Sequence, residues 1–188
     1  MLFRSVSQSR YHTVELMAEK VKEVIDFLKL EKINLLGHSL GGYVSRAFSE
    51  KFPEILESMT LFFSTTVADD EEKKAIRRRS IAVIDENFEN FVKTSIPNLF
   101  SNNKKDILEG KIELAKNIAK STNKEGVKAA QLGMAERPDR TEILENLDAK
   151  ILIIAGKYDN AVKTENLLKI IPEKTNIKTY VLDCGQLS

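Results

Sequence analysis

The feature that most constrains the fold of this chain is a glycine-rich segment between a predicted strand and a predicted helix. The segment reads Gly-His-Ser-Leu-Gly-Gly over residues 37–42 and follows an apolar run over residues 33–36. In this context the G-x-S-x-G pattern predicts a sharp strand-to-helix turn that presents a serine hydroxyl at the top of a sheet. We expect Ser39 to have a strained backbone, and Gly37 and Gly41 to leave space where side chains would clash.

The composition is that of one ordinary globular domain. The chain has 188 residues, of which 42% are hydrophobic and 30% are charged, so it can bury a core without a disulfide or a metal. Its net charge of +1 gives no electrostatic case for binding nucleic acid or an anionic membrane. One cysteine and two histidines are too few for a usual zinc site, and no metal or cofactor is expected. Without a membrane-spanning run or a signal-peptide core, the expected location is cytoplasmic.

Alternating strand and helix patterns predict an α/β fold with a mostly parallel sheet and flanking helices. The predicted strands share apolar runs bounded by turn residues, and they cover residues 32–36, 57–63, 151–155 and 177–182. The predicted helices of this α/β part share helical spacing of apolar residues, and they cover residues 13–29, 41–52, 139–147 and 164–171. Thr13 is the predicted N-cap of the first helix, and Asp139 opens a segment that resembles a capping box.

Residues 69–137 interrupt this alternation with amphipathic helical stretches only, over residues 71–84, 88–94, 103–120 and 124–136. This block predicts a helical cap inserted over one end of the sheet. The predicted organisation is a poorly ordered leader (1–12), a first core part with the serine turn (13–66), a helical cap (67–138) and a second core part (139–188).

Two features of the predicted cap have an interpretation at this point. The run over residues 77–79 consists of three arginines at successive helix positions, which favours a solvated helix face over a phosphate or nucleic-acid site. Aromatic and aliphatic side chains of the cap are candidates for its core or for the wall of a substrate pocket, and they are Phe88, Phe91, Ile96 and Phe100.

A serine hydroxyl becomes a nucleophile when a base takes its proton and a carboxylate orients that base. Asp159 is the candidate acid because it follows the predicted strand over 151–155, at the carboxyl edge where open α/β sheets place their sites. It also follows Ser39 in the chain order expected for this architecture. Asp69 and Asp70, which follow the preceding strand, are the rival acids.

The serine turn, the helical insertion and the segment Gly-Lys-Tyr-Asp-Asn-Ala-Val over 156–162 together resemble the lid-bearing serine hydrolases of the α/β-hydrolase fold. The resemblance covers residues 11–188. It implies that Ser39 is the nucleophile, Asp159 the triad acid and the backbone N–H of Leu40 an oxyanion donor. It also implies an acyl-serine intermediate formed from a carboxylic ester or a related small acyl substrate. Ser39 argues against the dehalogenases and epoxide hydrolases of this fold, which use an aspartate at that position.

The chain departs from this family at two places. The family places its catalytic histidine in a Gly-His turn after the last strand, and Gln186 stands there in this chain. His12 lies in the predicted leader, and the side chain of His38 is expected to point away from the acid. The first strands of the family, with the loop for a second oxyanion donor, should precede the first helix, and nothing before Tyr11 could encode them.

These departures leave three interpretations open. The first is an incomplete serine hydrolase that is weakly active or inactive. The second is a ligand-binding or partner-binding member of the fold that has lost the base. The third is a scaffold protein with a coincidental serine turn. Missing strands would also leave an unprotected sheet edge and exposed apolar surface, which predicts association in solution.

Overall fold

The computed structural model describes residues 12–101 and 106–187 of the chain and is built on a four-stranded sheet. The strands follow chain order across the sheet, and they are β1 (Ile33–His38), β2 (Leu56–Phe62), β3 (Lys150–Gly156) and β4 (Ile177–Leu182). Every neighbouring pair is parallel, so each connection returns from the carboxyl end of one strand to the amino end of the next. The predicted α/β class with a mostly parallel sheet is therefore confirmed.

Eight α-helices flank the sheet within the described residues. They are α1 (Val14–Phe27), α2 (Leu40–Lys51), α3 (Glu71–Glu86), α4 (Phe88–Ser95), α5 (Glu109–Lys120), α6 (Lys124–Ala135), α7 (Ile143–Asn146) and α8 (Thr164–Lys169). Two short 3-10 turns cover Pro53–Ile55 and Ile96–Leu99. No helix in the described parts of the chain has both the length and the apolar character needed to cross a membrane.

The predicted helix boundaries hold to within a few residues, except at two places. Helix α5 begins at Glu109, whereas the predicted helix begins at residue 103. Residues 103–105 of that prediction lie outside the described residues. The predicted capping box at Asp139 is wrong, since this carboxylate accepts hydrogen bonds from the N–H groups of Thr141 and Ala68 before α7 begins. By contrast, Thr13 does cap α1, with its hydroxyl accepting from the N–H of Leu16 at 3.1 Å.

One face of the sheet carries the main hydrophobic core. Alternate residues of β2 and β3 point to this face and are at most 2% exposed, namely Met59, Leu61, Ile151 and Ile153. Leu144 of α7 and Leu167 of α8 complete this cluster. A second cluster joins α1 to α2 through fully buried residues that include Val14 and Phe48.

The opposite face of the sheet is left largely open by the described residues. Leu36, Thr60, Leu152 and Lys178 lie side by side in register on this face, and Tyr180 lies two residues further along β4. Leu36 is 65% exposed and Tyr180 is 57% exposed. An open groove of about 720 Å³ runs over the same face. Parallel sheets are almost always covered on both sides, so this face, with its exposed Leu36 and Tyr180, is available for contact with another surface.

The order of elements is consistent with an inserted cap, although the domain boundaries remain predictions. Between β2 and β3 the regular elements of the described residues are all helices or 3-10 turns, from α3 to α7. Residues 1–11 of the predicted leader lie outside the described residues, whereas His12 donates its backbone N–H to Ala129 of α6 at 3.2 Å.

We predict that the purified chain associates through the open face of the sheet. The double substitution Leu36→Lys and Tyr180→Lys should raise the dissociation constant of this association by roughly tenfold or more. The reason is that it replaces two exposed apolar side chains with charged ones. Sedimentation velocity over a range of concentrations measures the effect. Phe27→Lys is the matched control, since Phe27 is 84% exposed on α1, at the covered side of the sheet. A protein that stays monomeric at all concentrations would contradict the prediction.

Candidate active site

Ser39 occupies the strand-to-helix turn in the strained conformation that its sequence context predicts. Its φ is 51° and its ψ is −116°, values that are unfavourable for a residue with a side chain. Its N–H donates to the carbonyl oxygen of Phe62 in β2 at 3.0 Å. Its own carbonyl oxygen accepts from the hydroxyl of Ser64 and from the N–H of Gly42, each at 2.9 Å. These bonds hold the turn against the neighbouring strand.

The two glycines of the pattern differ in the space around them. A Cβ atom on Gly37 would lie 2.3 Å from the carbonyl oxygen of Gly41, which a backbone cannot accommodate without shifting. A Cβ atom on Gly41 would meet no heavy atom within 4 Å in the described structure. The prediction of a close approach is therefore correct for Gly37 and wrong for Gly41.

Leu40 is the first residue of α2, directly after Ser39. The N–H groups in the first turn of a helix have no partner within the helix, and they lie at its electropositive end. The backbone N–H of Leu40 thus has the position that an oxyanion donor needs, and the assignment remains a prediction.

Asp159 lies in the loop after β3 and is 6% exposed. Its Oδ1 accepts from the N–H groups of Ala161 and Val162 at 2.8 and 3.0 Å. Its Oδ2 is buried and has no hydrogen-bond partner. Burial raises the pKa of Asp159 above its ordinary value, and the two backbone N–H groups oppose this shift only in part. One carboxylate oxygen is thus held by the backbone while the other can still accept a donor.

Gln186 brings its side chain to the serine hydroxyl. Its Nε2 donates to Oγ of Ser39 at 2.7 Å, and its Oε1 is buried without a hydrogen-bond partner. The residue is 5% exposed, although it lies only four positions after the last residue of β4. Gln186 therefore contacts the Ser39 hydroxyl, and its equivalence to the histidine position of the family remains a prediction.

A close backbone approach holds the two loops that carry Asp159 and Gln186 together. Gly156 ends β3, and a Cβ atom there would lie 2.6 Å from the carbonyl oxygen of Cys184. The same carbonyl oxygen accepts from the N–H of Tyr158 at 3.0 Å. Only glycine allows this contact, which joins the end of β3 to the turn after β4.

The helical segment reaches both loops through the 3-10 turn over Ile96–Leu99. The N–H of Leu187 donates to the carbonyl oxygen of Leu99 at 3.1 Å. The side-chain amide of Asn160 lies 3.5 Å from the carbonyl oxygen of Asn98. Sequence reasoning did not single out these contacts, since backbone carbonyl groups leave no mark on a residue pattern.

The aromatic candidates of the predicted cap have different environments. Phe100 is 3% exposed and packs with Leu108 and Ile112, so it belongs to a small core within the helical segment. The rings of Phe88 and Phe91 stack with their centroids 6.4 Å apart.

Both rival acids have other partners. Asp70 caps α3, with its Oδ1 accepting from the N–H of Lys73 at 2.7 Å. Asp69 is buried and paired with Arg77 and Arg137. The interpretation of the arginine run as a solvated face is accordingly wrong for Arg77, which is engaged with Asp69.

His38 ends β1, directly before Ser39. Its ring packs against Phe62 and Phe63, with centroids 5.6 and 6.1 Å apart. These contacts support its interpretation as a packing residue, and its orientation relative to Asp159 remains a prediction. Among the residues that the structure describes, no group of three or more His, Cys, Asp or Glu side chains could hold a metal ion.

Comparison with known proteins agrees with this geometry. Residues 4–186 match the family described as alpha/beta hydrolase fold. The chain belongs to this family. A solved thermophilic esterase from Thermogutta terrifontis is 32% identical, with a TM-score of 0.87 over 97% of this chain and 68% of its own. The enol-lactonase from Burkholderia xenovorans LB400 shares the fold, with a TM-score of 0.85 over 98% of this chain and 69% of its own at 18% identity.

A curated relative in the family is the 2-hydroxy-6-oxononadienedioate/2-hydroxy-6-oxononatrienedioate hydrolase of Escherichia coli K12. It is 26% identical over 179 residues, which are 91% of this chain and 62% of the relative. The chain spans 57% to 62% of the length of curated relatives that it matches. Its relatives include proteins named hydrolase and esterase, and the activity of this chain is a matter for proposal.

The two glycines of the turn provide a matched test of its packing. Gly37→Ala should lower the free energy of unfolding by about 2 kcal/mol or more, because its Cβ would overlap a backbone oxygen. Gly41→Ala should be neutral, or stabilising by up to about 1 kcal/mol, because it improves helix propensity in open space. Urea denaturation of both variants measures the difference. Equal destabilisation by the two substitutions would refute the assignment of the crowded position.

The environment of Asp159 predicts a pH-dependent effect on stability. Because the folded-state pKa is raised, protonation stabilises the fold at low pH, and this contribution is lost as pH rises through the folded-state pKa. Asp159→Asn keeps an oxygen for the two backbone N–H groups and carries no charge. We expect it to be more stable than the parent at pH 7.5, with a smaller difference at pH 4.5.

Urea unfolding at the two pH values measures this difference. The exposed Asp148 provides the control, since Asp148→Asn should change the free energy of unfolding by no more than about 0.5 kcal/mol. An Asp159→Asn variant that is less stable than the parent at pH 7.5 would show that the carboxylate is stabilising instead.

Proposed function

We propose that this chain carries the site of a serine hydrolase that acts on a carboxylic ester or a related acyl substrate. In this proposal Ser39 is the nucleophile, Asp159 the acid and the N–H of Leu40 an oxyanion donor. The observation that carries the proposal is the strained turn at Ser39, whose hydroxyl meets a side chain from the loop after β4. The esterase and the dienedioate hydrolase among its relatives are named for reactions at acyl or carbonyl carbons, which supports the substrate class.

The proposed reaction begins with attack of Ser39 Oγ on the substrate carbonyl carbon. A base takes the hydroxyl proton, and the carbonyl oxygen becomes an oxyanion facing the N–H of Leu40. The carbon–oxygen bond to the leaving alcohol then breaks, and the alcohol takes up the proton. Water hydrolyses the acyl-serine by the same steps. The unpartnered Oδ2 of Asp159 suits a carboxylate that orients a protonated base.

Gln186 cannot act as the base that takes the Ser39 hydroxyl proton, in either orientation of its side-chain amide. As placed, its Nε2 donates to Ser39 Oγ, so it contacts the oxygen without accepting its proton. If the amide were turned over, Oε1 could accept the hydroxyl hydrogen, but an amide oxygen does not hold a proton near neutral pH. We therefore propose that the chain hydrolyses esters weakly or not at all while Gln186 is present.

The alternative is a member of the fold that binds a ligand or partner without catalysis. The observation in its favour is the same hydrogen bond, which satisfies the Ser39 hydroxyl with a donor that has no catalytic use. Under this alternative, a histidine at position 186 would bring no hydrolysis, because the remaining groups would not be arranged for it.

The experiment that separates the two functions is Gln186→His. Under the hydrolase proposal this variant should hydrolyse p-nitrophenyl acetate about 10²–10⁴ times faster than the parent, the usual contribution of a positioned general base. Ser39→Ala in the same background should remove the gain, and Gln186→Asn is the matched amide control. No gain in Gln186→His would favour the binding protein. Serine-dependent hydrolysis by the parent at a rate comparable to that of Gln186→His would refute the proposed weakness.

A further inference from the structure

Three buried arginines lie where α2 meets the two ends of the helical segment between β2 and β3. We call these two ends the necks of the segment. The necks are residues 66–69, which enter the segment, and residues 137–141, which leave it. Arg46, Arg137 and Arg140 are 1%, 4% and 7% exposed. A charge removed from water is costly unless it is paired and hydrogen-bonded, so the partners of Arg137 and Arg140 indicate which elements these two side chains hold together.

Arg137 joins the two necks through its guanidinium group. Its Nη2 donates to the carbonyl oxygen of Val67 at 3.1 Å and to Oδ1 of Asp69 at 2.8 Å. Its Nη1 donates to the carbonyl oxygen of Met134, at the end of α6, at 2.7 Å. One planar side chain therefore bonds to the entering neck and to the last helix before the leaving neck.

The carboxylate of Asp69 is shared between two arginines. Its Oδ2 accepts from Nε of Arg77 in α3, and Nη1 of Arg77 also donates to Gln131 of α6 at 3.1 Å. Burial alone would raise the pKa of Asp69, but the hydrogen bonds from Arg137 and Arg77 lower it below its ordinary value. Asp69 is thus ionised at neutral pH, and its contacts with Arg77 and Arg137 link α3, α6 and the entering neck.

The guanidinium group of Arg137 also contacts α2, the helix that directly follows Ser39. It lies 4.0 Å from the ring centroid of Tyr43 in α2, in cation–π geometry. The necks are further tied to each other by the N–H of Arg140, which donates to the carbonyl oxygen of Thr66 at 3.1 Å. The side chain of Arg140 then bonds to Glu15 of α1 and Glu50 of α2.

We propose that Arg137 is a positioning residue that fixes both necks against α2 and so determines which acyl groups reach Ser39. Its contacts place the helical segment relative to the nucleophile helix, and the 3-10 turn of that segment touches the loops of Asp159 and Gln186. The neck-fixing role stands on geometry alone, and the selectivity role rests on the proposed hydrolase function.

Two substitutions and one control test this role in the full chain. Arg137→Gln removes the charge and the fork, and Arg137→Lys keeps a charge but cannot reach all three acceptors in one plane. Arg78→Gln is the control, because Arg78 makes an exposed ion pair with Glu136 in the same region. Amide hydrogen exchange followed by mass spectrometry gives the local stability of each element.

We expect Arg137→Gln to speed exchange in the entering neck and in α6 by about tenfold or more, the loss of a charged hydrogen bond. Exchange in β2 and β3 should not change, Arg137→Lys should be intermediate, and Arg78→Gln should resemble the parent. Faster exchange in all elements alike, or none beyond the Arg78→Gln control, overturns the neck-fixing role. If Arg137→Gln does not fold, the local exchange pattern of Arg137→Lys decides.

Selectivity is measured in the Gln186→His background with p-nitrophenyl acetate and p-nitrophenyl octanoate. Arg137→Gln should change the ratio of their kcat/KM values on the order of tenfold, because small displacements near a site alter rates strongly. An unchanged ratio overturns the selectivity role. Failure of Gln186→His to hydrolyse either ester would refute the proposed function together with the selectivity role, while hydrogen exchange would still decide the neck-fixing role.

Discussion

The hydrogen bond from the N–H of Ser39 to the carbonyl oxygen of Phe62 is the interaction on which the site depends. It spans 3.0 Å and ties a residue with unfavourable φ to the neighbouring strand. The strain is tolerable because β2 supplies this acceptor and, just beyond the strand, the hydroxyl of Ser64. The direction of α2 follows from the turn, and α2 in turn provides the surface on which α1 and the necks pack.

Two buried aspartates at the same edge of the sheet show how environment separates structural from chemical roles. Both oxygens of Asp69 are taken by arginines, and its pKa is lowered. Asp159 has one oxygen held by backbone N–H groups and one without a partner, and its pKa is raised. The oxygen of Asp159 without a partner suits its proposed role as the acid, whereas Asp69 has no oxygen left for another donor.

Local sequence predicted the elements well and their long-range partners poorly. Alternating apolar residues such as Met59 and Leu61 identify buried strands, because that periodicity is a property of neighbouring residues. The pairing of Asp69 with Arg137 joins residues 68 positions apart, so no local pattern could reveal it. The same limit applies to Gly41, whose open surroundings depend on elements far along the chain.

Gln186 shows that geometry and chemistry can separate at a single residue. Its Nε2 lies 2.7 Å from Ser39 Oγ, so the loop after β4 reaches the proposed nucleophile. What a base requires beyond this placement is affinity for a proton near neutral pH, and an amide has none. The contacts that make the approach, at Gly156 and at Leu187, are backbone contacts that do not involve the Gln186 side chain. The backbone contacts that position this loop are therefore distinct from the side chain on which the proposed reactivity depends.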